Sequence, residues 1–380
     1  MAPAVIDLKK AADPRDVIHR AVAALADGKL VALPTETVYG VAASALSEEA
    51  VNRLLDAKKR DGKPLTLAIK SADDALDYIP DMAPLAQRLA RRCWPGPLTM
   101  VLNDSHEDSV VTRLPQAVQS VVTQNGKVGL RVPGHGLTLE TLRLCAGPLV
   151  LSSANISGQP DATSAEEVVR QLGDSIDLVL DDGPSRYGQS STVIDVDQNG
   201  FEVLREGVIS QETLQQLTFY LAVVVCTGNT CRSPMGEAIL RKMLAEKLNC
   251  QPEELAQKGL AVRSAGIAAM PGGLPSLQSV EVMREMGVDI TDHASQPFTD
   301  QFARNADIIL TMTRGHREAI VAQWPELAPR TFLFSNTNRD VSDPIGQAQS
   351  VYADCANQLI SYAPYWVDKI INQTSPPSTS

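Results

Sequence analysis

Cysteine is scarce in this chain: six thiols in 380 residues, at 93, 145, 226, 231, 250 and 355. That scatter excludes a dense disulfide framework and contains no paired metal-ligand spacing, so a reducing cytoplasm is the expected compartment and no resident metal site is expected. Long apolar runs are missing as well, since none approaches the roughly 20 residues that span a bilayer. No basic-then-apolar leader opens the chain, because Asp7, Lys9, Lys10 and Asp13 interrupt it. A membrane is therefore not an expected partner. Positive charge is in deficit, with 34 Lys and Arg against 45 Asp and Glu and a net charge of -11. This argues against an extended nucleic-acid surface and leaves room for a local basic pocket around one phosphate or nucleotide. A Walker-type loop and a dinucleotide glycine pattern at the first strand are absent too.

What is present is enough chain for two cores, with 44% apolar residues over 380 positions. Helical spacing over 14–27, 48–57, 85–92, 137–146 and 164–172 alternates with strand-like runs at 30–33, 65–69, 98–102, 128–132, 149–151, 178–180 and 191–195. The alternation predicts an α/β domain with a mixed sheet, closing near 203–209. A short helix over 210–217 then leads to a second sheet. Its strands are expected at 219–225, 260–263, 307–311 and 330–334, with helices at 234–249, 275–286, 315–322 and 348–368. That order predicts a small doubly wound parallel sheet.

The second sheet opens with the sharpest motif, Cys226-Thr-Gly-Asn-Thr-Cys-Arg-Ser233, placed between an apolar strand and a helix. Five residues separate Cys226 from Arg232. A loop of that length can turn its amides around a tetrahedral phosphoryl group, while the following helix N-terminus adds partial positive charge. Arg232 can hold two phosphoryl oxygens in a fork, and the electropositive surroundings favour the thiolate of Cys226. Gly228 is expected to take the backbone angles a side chain would resist, Asn229 to tie the curvature, and Ser233 to donate to the sulfur. Pro234 fits a first helical turn. In-line attack by sulfur needs an acid for the leaving group and a base for the water that follows. Asp343, in Asp343-Pro344, is the first candidate and Asp340 the second.

Over roughly 219–368 these residues resemble the low-molecular-weight protein tyrosine phosphatase family, including its arginine-directed branch. The matches are 226–238, Ser264-Ala-Gly266, His293, Asp307 to Met312 and Asp343-Pro344. The resemblance implies that Cys226 is the nucleophile, Arg232 the phosphate ligand and Asp343 the general acid. Asn229, Ser233, Ser264 and His293 would support the loop, and a phosphorylated protein would be the substrate. Thr230 resembles the arginine-directed branch, where tyrosine-directed members look larger and aliphatic, and Ile345 replaces an aromatic wall. Phosphoarginine is thus expected over phosphotyrosine, which stays the alternative. Cys231, beside the nucleophile, is a candidate for a reversible disulfide with Cys226. No cofactor is expected for this half.

The first half carries separate polar clusters: Pro34-Thr-Glu-Thr-Val-Tyr-Gly40, Lys58-Lys-Arg-Asp-Gly-Lys-Pro64, Arg131, Ser152-Ser-Ala-Asn-Ile-Ser-Gly158, Ser190-Ser-Thr-Val193 and Arg205-Glu-Gly207. Placed at strand ends they can converge on one cleft for a nucleotide or an anionic metabolite. Together with Trp94-Pro-Gly-Pro-Leu-Thr99 and Gly129-Leu-Arg-Val-Pro133, they resemble the threonylcarbamoyl-AMP synthase family over roughly 12–210. The resemblance implies a twisted α/β domain with a central cavity that joins L-threonine, bicarbonate and ATP, with Mg²⁺ on the phosphates. It places Thr35, Arg131 and Ser191 at threonine, and Lys58, Arg60, Lys63, Ser153, Asn155 and Arg205 at ATP. The adenylate would pass to tRNA-modification proteins. A nucleotide- or RNA-binding module of related architecture is the alternative.

Overall fold

Val31–Leu33, 149–151 and 178–180 bury nearly every side chain, the signature of strands covered on both faces. They belong to the first of two units, which divide between Gln216 and Leu217. The computed structural model describes residues 2–59, 62 and 64–374. The first unit contains β1 Ala4–Asp7, β2 Val31–Leu33, β3 Gly40–Ser44, β4 Thr66–Ala68, β5 Leu98–Asn103, β6 Thr123–Gln124, β7 Lys127–Arg131, β8 Leu149–Ser153, β9 Leu178–Asp181, β10 Thr192–Val196 and β11 Phe201–Arg205. They form one sheet in the order β1-β9-β2-β3-β8-β4-β7-β5-β10-β11, with β6 on β7. Pairs β1/β9, β9/β2, β4/β7 and β5/β10 are parallel, and the others, such as β3/β8 and β5/β7, are antiparallel. The sheet is mixed, as the alternation of elements predicts. Strand β1 lies ahead of residue 12 and adds a parallel edge to β9.

Helix starts follow capping chemistry. Asp13 accepts from the Arg15 amide ahead of helix Pro14–Ala26, and Ser47 accepts from the Ala50 amide ahead of helix Glu48–Lys58. The helix expected over 210–217 spans Gln211–Thr218.

In the second unit β12 Tyr220–Cys226, β13 Leu260–Gly266, β14 Ile308–Thr311 and β15 Thr331–Leu333 are all parallel, in the order β13-β12-β14-β15. The side chains of β12 alternate between two cores. Ala222, Val224 and Cys226 face one that also holds Met235, Leu240, Leu359 and Trp366, from the helices Arg232–Lys247 and Gln349–Thr374. Val223 and Val225 face the other, with Phe298, Ala303 and Ile320. Because β13 and β14 flank β12 on opposite sides, the C-terminal end of β12 is the switch point where a parallel sheet opens a crevice. Cys226 is the last residue of that strand. The final helix runs beyond 368 to Thr374. Among the described residues no helix is long and apolar enough to cross a membrane.

Candidate active sites

A cavity of about 1290 Å³ lies in the first unit. Its walls include Lys127, Gly129 and Arg131 of β7, Leu151 and Ser153 of β8, Thr99 and Val101 of β5, and Val193 and Asp195 of β10. These are alternate residues, so the cavity sits over one face of the sheet. The expected convergence of strand ends is seen as well: Arg131, Ser153 and Arg205 are the last residues of β7, β8 and β11, and Thr35 and Ser191 lie just outside β2 and β10.

Thr35, Lys58, Arg131, Ser153, Asn155, Ser191 and Arg205 all line this cavity. Arg60 and Lys63 lie outside the described residues. Arg131 is a buried cation: Nη2 donates to Glu36 Oε1 at 2.7 Å and to Thr37 Oγ1 at 2.9 Å, and Nε donates to Gly96 O at 3.3 Å. Glu36 accepts from the Gly134 amide with its other oxygen at 2.8 Å. The carboxylate therefore balances and aims the guanidinium. Thr35 Oγ1 donates to Val38 O at 2.6 Å, which folds the 34–40 turn against the cavity. Lys58 is turned inward. Its ammonium donates to Ser153 O at 2.5 Å and to Asn155 Oδ1 at 3.0 Å, cross-linking the turn after β8.

Arg205 Nη2 donates to Ser191 O at 2.8 Å and to Ser191 Oγ at 3.2 Å, and that hydroxyl lies 3.0 Å from Thr99 Oγ1. Burial holds the Arg205 guanidinium below its ordinary pKa; the Asp161 carboxylate opposes that shift, and Arg131 reinforces it. Two arginines thus share one cavity. Gly207 makes the contact with Ser191 feasible, because a Cβ there would stand 2.2 Å from Ser190 O. Glu36 sits inside the 34–40 cluster yet was not among the expected site residues. A lone acid in a turn gives no sign of an arginine 95 residues away.

In the second unit the thiol of Cys226 lies 2.9 Å from Ser233 Oγ and accepts from the Asn229 amide at 3.3 Å. Asn229 ties the loop together: Nδ2 donates to Ser233 Oγ and to Ser264 Oγ, both at 2.9 Å, and Oδ1 accepts from the Gln296 amide at 2.9 Å. Ser264 in turn donates to Glu237 Oε2 at 2.6 Å, and His293 Nε2 lies 2.8 Å from Asn229 O. The left-handed residue of the loop is Asn229, with φ +55°, whereas Gly228 is not among the positive-φ positions. This corrects the expectation for Gly228. Asparagine tolerates that region, and here both polar atoms of its side chain are engaged, in three hydrogen bonds. The glycine with a steric duty is Gly266, where a Cβ would stand 2.4 Å from Thr227 O. Its absence lets β13 close against the loop.

Arg232, 5% exposed, donates through Nη2 to Asp343 Oδ2 at 2.6 Å. Asp340 instead accepts from the Arg314 amide at 2.9 Å, at the start of helix Arg314–Gln323. Of the two acid candidates, Asp343 is the one beside the arginine. Thr230 Oγ1 is 3.7 Å from Cys231 Sγ, which is 3.8 Å from Tyr352 OH. Cys226 and Cys231 are both free thiols. Ile345, beyond the acid, is 64% exposed. Glu237, Gln296 and His316 also support the loop and were not foreseen. His316 Nε2 lies 2.9 Å from Thr227 Oγ1.

Known proteins divide along the same line. Residues 23–207 match the Sua5/yciO/yrdC family model, described as telomere recombination, and residues 222–375 match the low molecular weight phosphotyrosine protein phosphatase model. A putative threonylcarbamoyl-AMP synthase of Mycobacterium tuberculosis is 37% identical over 201 residues, 53% of this chain and 88% of that protein. The threonylcarbamoyl-AMP synthase of Pyrococcus abyssi is 38% identical over 223 residues, 57% of this chain. The chain spans 63% of the length of that archaeal relative. The solved arginine phosphatase YwlE of Geobacillus stearothermophilus is 32% identical and covers 40% of this chain and 94% of its own, with a TM-score of 0.35.

Proposed function

We propose a two-reaction enzyme, on the premise that the chain belongs to the threonylcarbamoyl-AMP synthase family and carries a low-molecular-weight phosphatase-like domain as its second unit. The first reaction is synthesis of threonylcarbamoyl-adenylate from L-threonine, bicarbonate and ATP. The observation that supports it is the gathering of Thr35, Arg131, Ser191, Lys58, Ser153, Asn155 and Arg205 on one cavity. Arg131, aimed by Glu36, and the hydroxyls of Thr35 and Ser191 suit a small polar acid. Arg205 suits a phosphate, and Lys58 stiffens the Ser153–Asn155 turn that borders it. The threonine amine takes up bicarbonate as a carbamate, whose oxygen attacks the α-phosphorus while pyrophosphate leaves. The protein contributes alignment and charge compensation. Cations and hydroxyls fit a triphosphate, and Asp161 and Asp195 are carboxylates on the same walls. Mg²⁺ carried by the triphosphate would spread its charge.

This reading puts the protein in the cytoplasm, supplying an adenylate to proteins that modify tRNA. Incubated with ATP, L-threonine and bicarbonate, the purified chain should release pyrophosphate, and omission of any one reactant should stop it. A pure binding module would release none.

The second reaction is removal of a phosphoryl group from protein arginine. Cys226 attacks phosphorus in line, the P–N bond breaks, and Asp343 protonates the departing guanidino nitrogen. Asp343, now a carboxylate, takes a proton from the water that cleaves phosphocysteine, and inorganic phosphate leaves. In the resting site Asp343 is ionised and neutralises Arg232; an incoming phosphoryl group takes its place on the arginine, and the released carboxylate takes up from solvent the proton it then gives to the leaving nitrogen. Thr230 and the non-aromatic Ile345 support phosphoarginine over phosphotyrosine, because neither supplies a ring wall for an aryl group. Thr230→Ile should move the ratio of phosphoarginine to phosphotyrosine turnover severalfold toward phosphotyrosine. An unchanged ratio removes Thr230 from the specificity argument.

A further inference from the structure

His316 is 5% exposed, yet its Nδ1 finds no hydrogen-bond partner among the described residues. Its Nε2 lies 2.9 Å from the hydroxyl of Thr227, the residue that follows the nucleophile. Thr227 itself is exposed. A buried imidazole therefore tethers an exposed threonine one residue after the nucleophile. An exposed threonine needs no buried partner to satisfy its hydroxyl, because water would do so. What the tether adds is a fixed rotamer.

The orphaned nitrogen also favours one tautomer. An unpaired buried N–H is rarer and costlier than an unpaired acceptor, which favours the ring proton on Nε2 and a bare lone pair on Nδ1. Burial, reinforced by the Arg232 guanidinium, pushes the His316 pKa down to about 4, although Asp343 and Asp340 pull the other way. The ring is thus neutral around pH 7. Nε2–H then donates to Thr227 Oγ1 and occupies one of its acceptor positions. The second lone pair and the hydroxyl proton remain for whatever enters the loop.

We propose that His316 is a positioning residue for substrate choice: it fixes the Thr227 hydroxyl as a polar contact for the nitrogen-bearing group attached to phosphorus. This rests on the phosphatase reading given above. A phosphorylated guanidinium carries N–H donors within a bond or two of phosphorus, and Thr227 Oγ1 can accept from one of them. An aryl phosphate has no N–H there, only its ester oxygen and ring carbons. The fixed hydroxyl therefore rewards one leaving group and is neutral toward the other.

The test is a double-mutant cycle read on two substrates, a phosphoarginine peptide and a phosphotyrosine peptide, using the full chain. Thr227→Val and His316→Phe should each lower kcat/KM for phosphoarginine about tenfold, the loss of one hydrogen bond, and change phosphotyrosine by less than about twofold. The double variant should be no worse than either single one, since both remove the same contact. His316→Gln, which keeps a donor near the Nε2 position, should hold the wild-type ratio within about threefold. Additive losses, equal losses on both substrates, or a glutamine variant that behaves like phenylalanine would each overturn the proposal. If His316→Phe does not fold, Thr227→Val at its exposed position and His316→Gln still decide the matter. Absence of Cys226-dependent turnover of either peptide overturns the phosphatase reading and this proposal with it. A wild-type preference for phosphotyrosine, with the variants still shifting the ratio as stated, overturns only the substrate assignment.

Discussion

Cys226→Ser is expected to lower phosphatase kcat/KM by roughly 10⁴-fold or more, with pyrophosphate release by the first unit unchanged. Serine is close in size to cysteine, and the Ser233 hydroxyl and the Asn229 amide that face the sulfur at 2.9 and 3.3 Å would still have an oxygen to bond. The loop should therefore survive, and with it phosphate binding through Arg232. What disappears is the soft sulfur nucleophile, since among the described residues the groups that touch its position are a hydroxyl and an amide, neither of them a base. Of the nearby groups, His316 bonds Thr227, and Asp343 is engaged with Arg232. The measurement is steady-state hydrolysis of both phosphopeptides beside an inorganic phosphate binding isotherm. Retained phosphate affinity with lost turnover assigns the chemistry to sulfur. Parallel loss of pyrophosphate release would mean that the substitution unfolds more than one site, and the two-reaction reading would lose its independence.

How much of this was legible in the sequence depends on the distance over which each signal acts. The strand, loop and helix around Cys226 are contiguous, so composition and spacing placed them to within two residues. The alternation of elements likewise gave both sheets their class. Strand β3 was missed because Gly40-Val-Ala-Ala-Ser44 has little β preference. It is a strand because β2 and β8 flank it and bury it, which is a tertiary reason. The short strands β1 and β6 and the edge strand β11 were missed as well. Asn229 shows a subtler limit: glycine is the default for positive φ, but the asparagine beside it takes that conformation and turns its side chain into the loop's internal brace. Lys58 reads as a phosphate-binding lysine from the basic cluster, while its ammonium is bonded to Ser153 and Asn155. Glu36 and His316 act on partners 95 and 89 residues away. No local pattern carries such pairings.

Glu36 carries the other large effect. Glu36→Ala should destabilise the first unit by about 3–5 kcal/mol, because it leaves the Arg131 guanidinium buried without its counter-charge. For a unit of this size that is a fall in melting temperature of roughly 10 °C. The side chains of Arg131 and Glu36 are only 9% and 8% exposed, so water cannot take over the carboxylate's role. The Gly134 amide would lose its acceptor at the same time. Stability and chemistry are then separated by replacing both partners. Glu36→Met with Arg131→Met removes the charge pair together, and such replacements of a buried ion pair are often neutral or stabilising. The double variant should melt near the wild-type temperature yet lose about 10²–10³-fold in adenylate synthesis, the scale of one charge-assisted contact to a reacting ligand. Raised threonine KM as the main component would fit Arg131 at the threonine carboxylate. A double variant that melts like wild type and still makes adenylate at the wild-type rate would reduce Arg131 to a structural residue and move the threonine site elsewhere in the cavity.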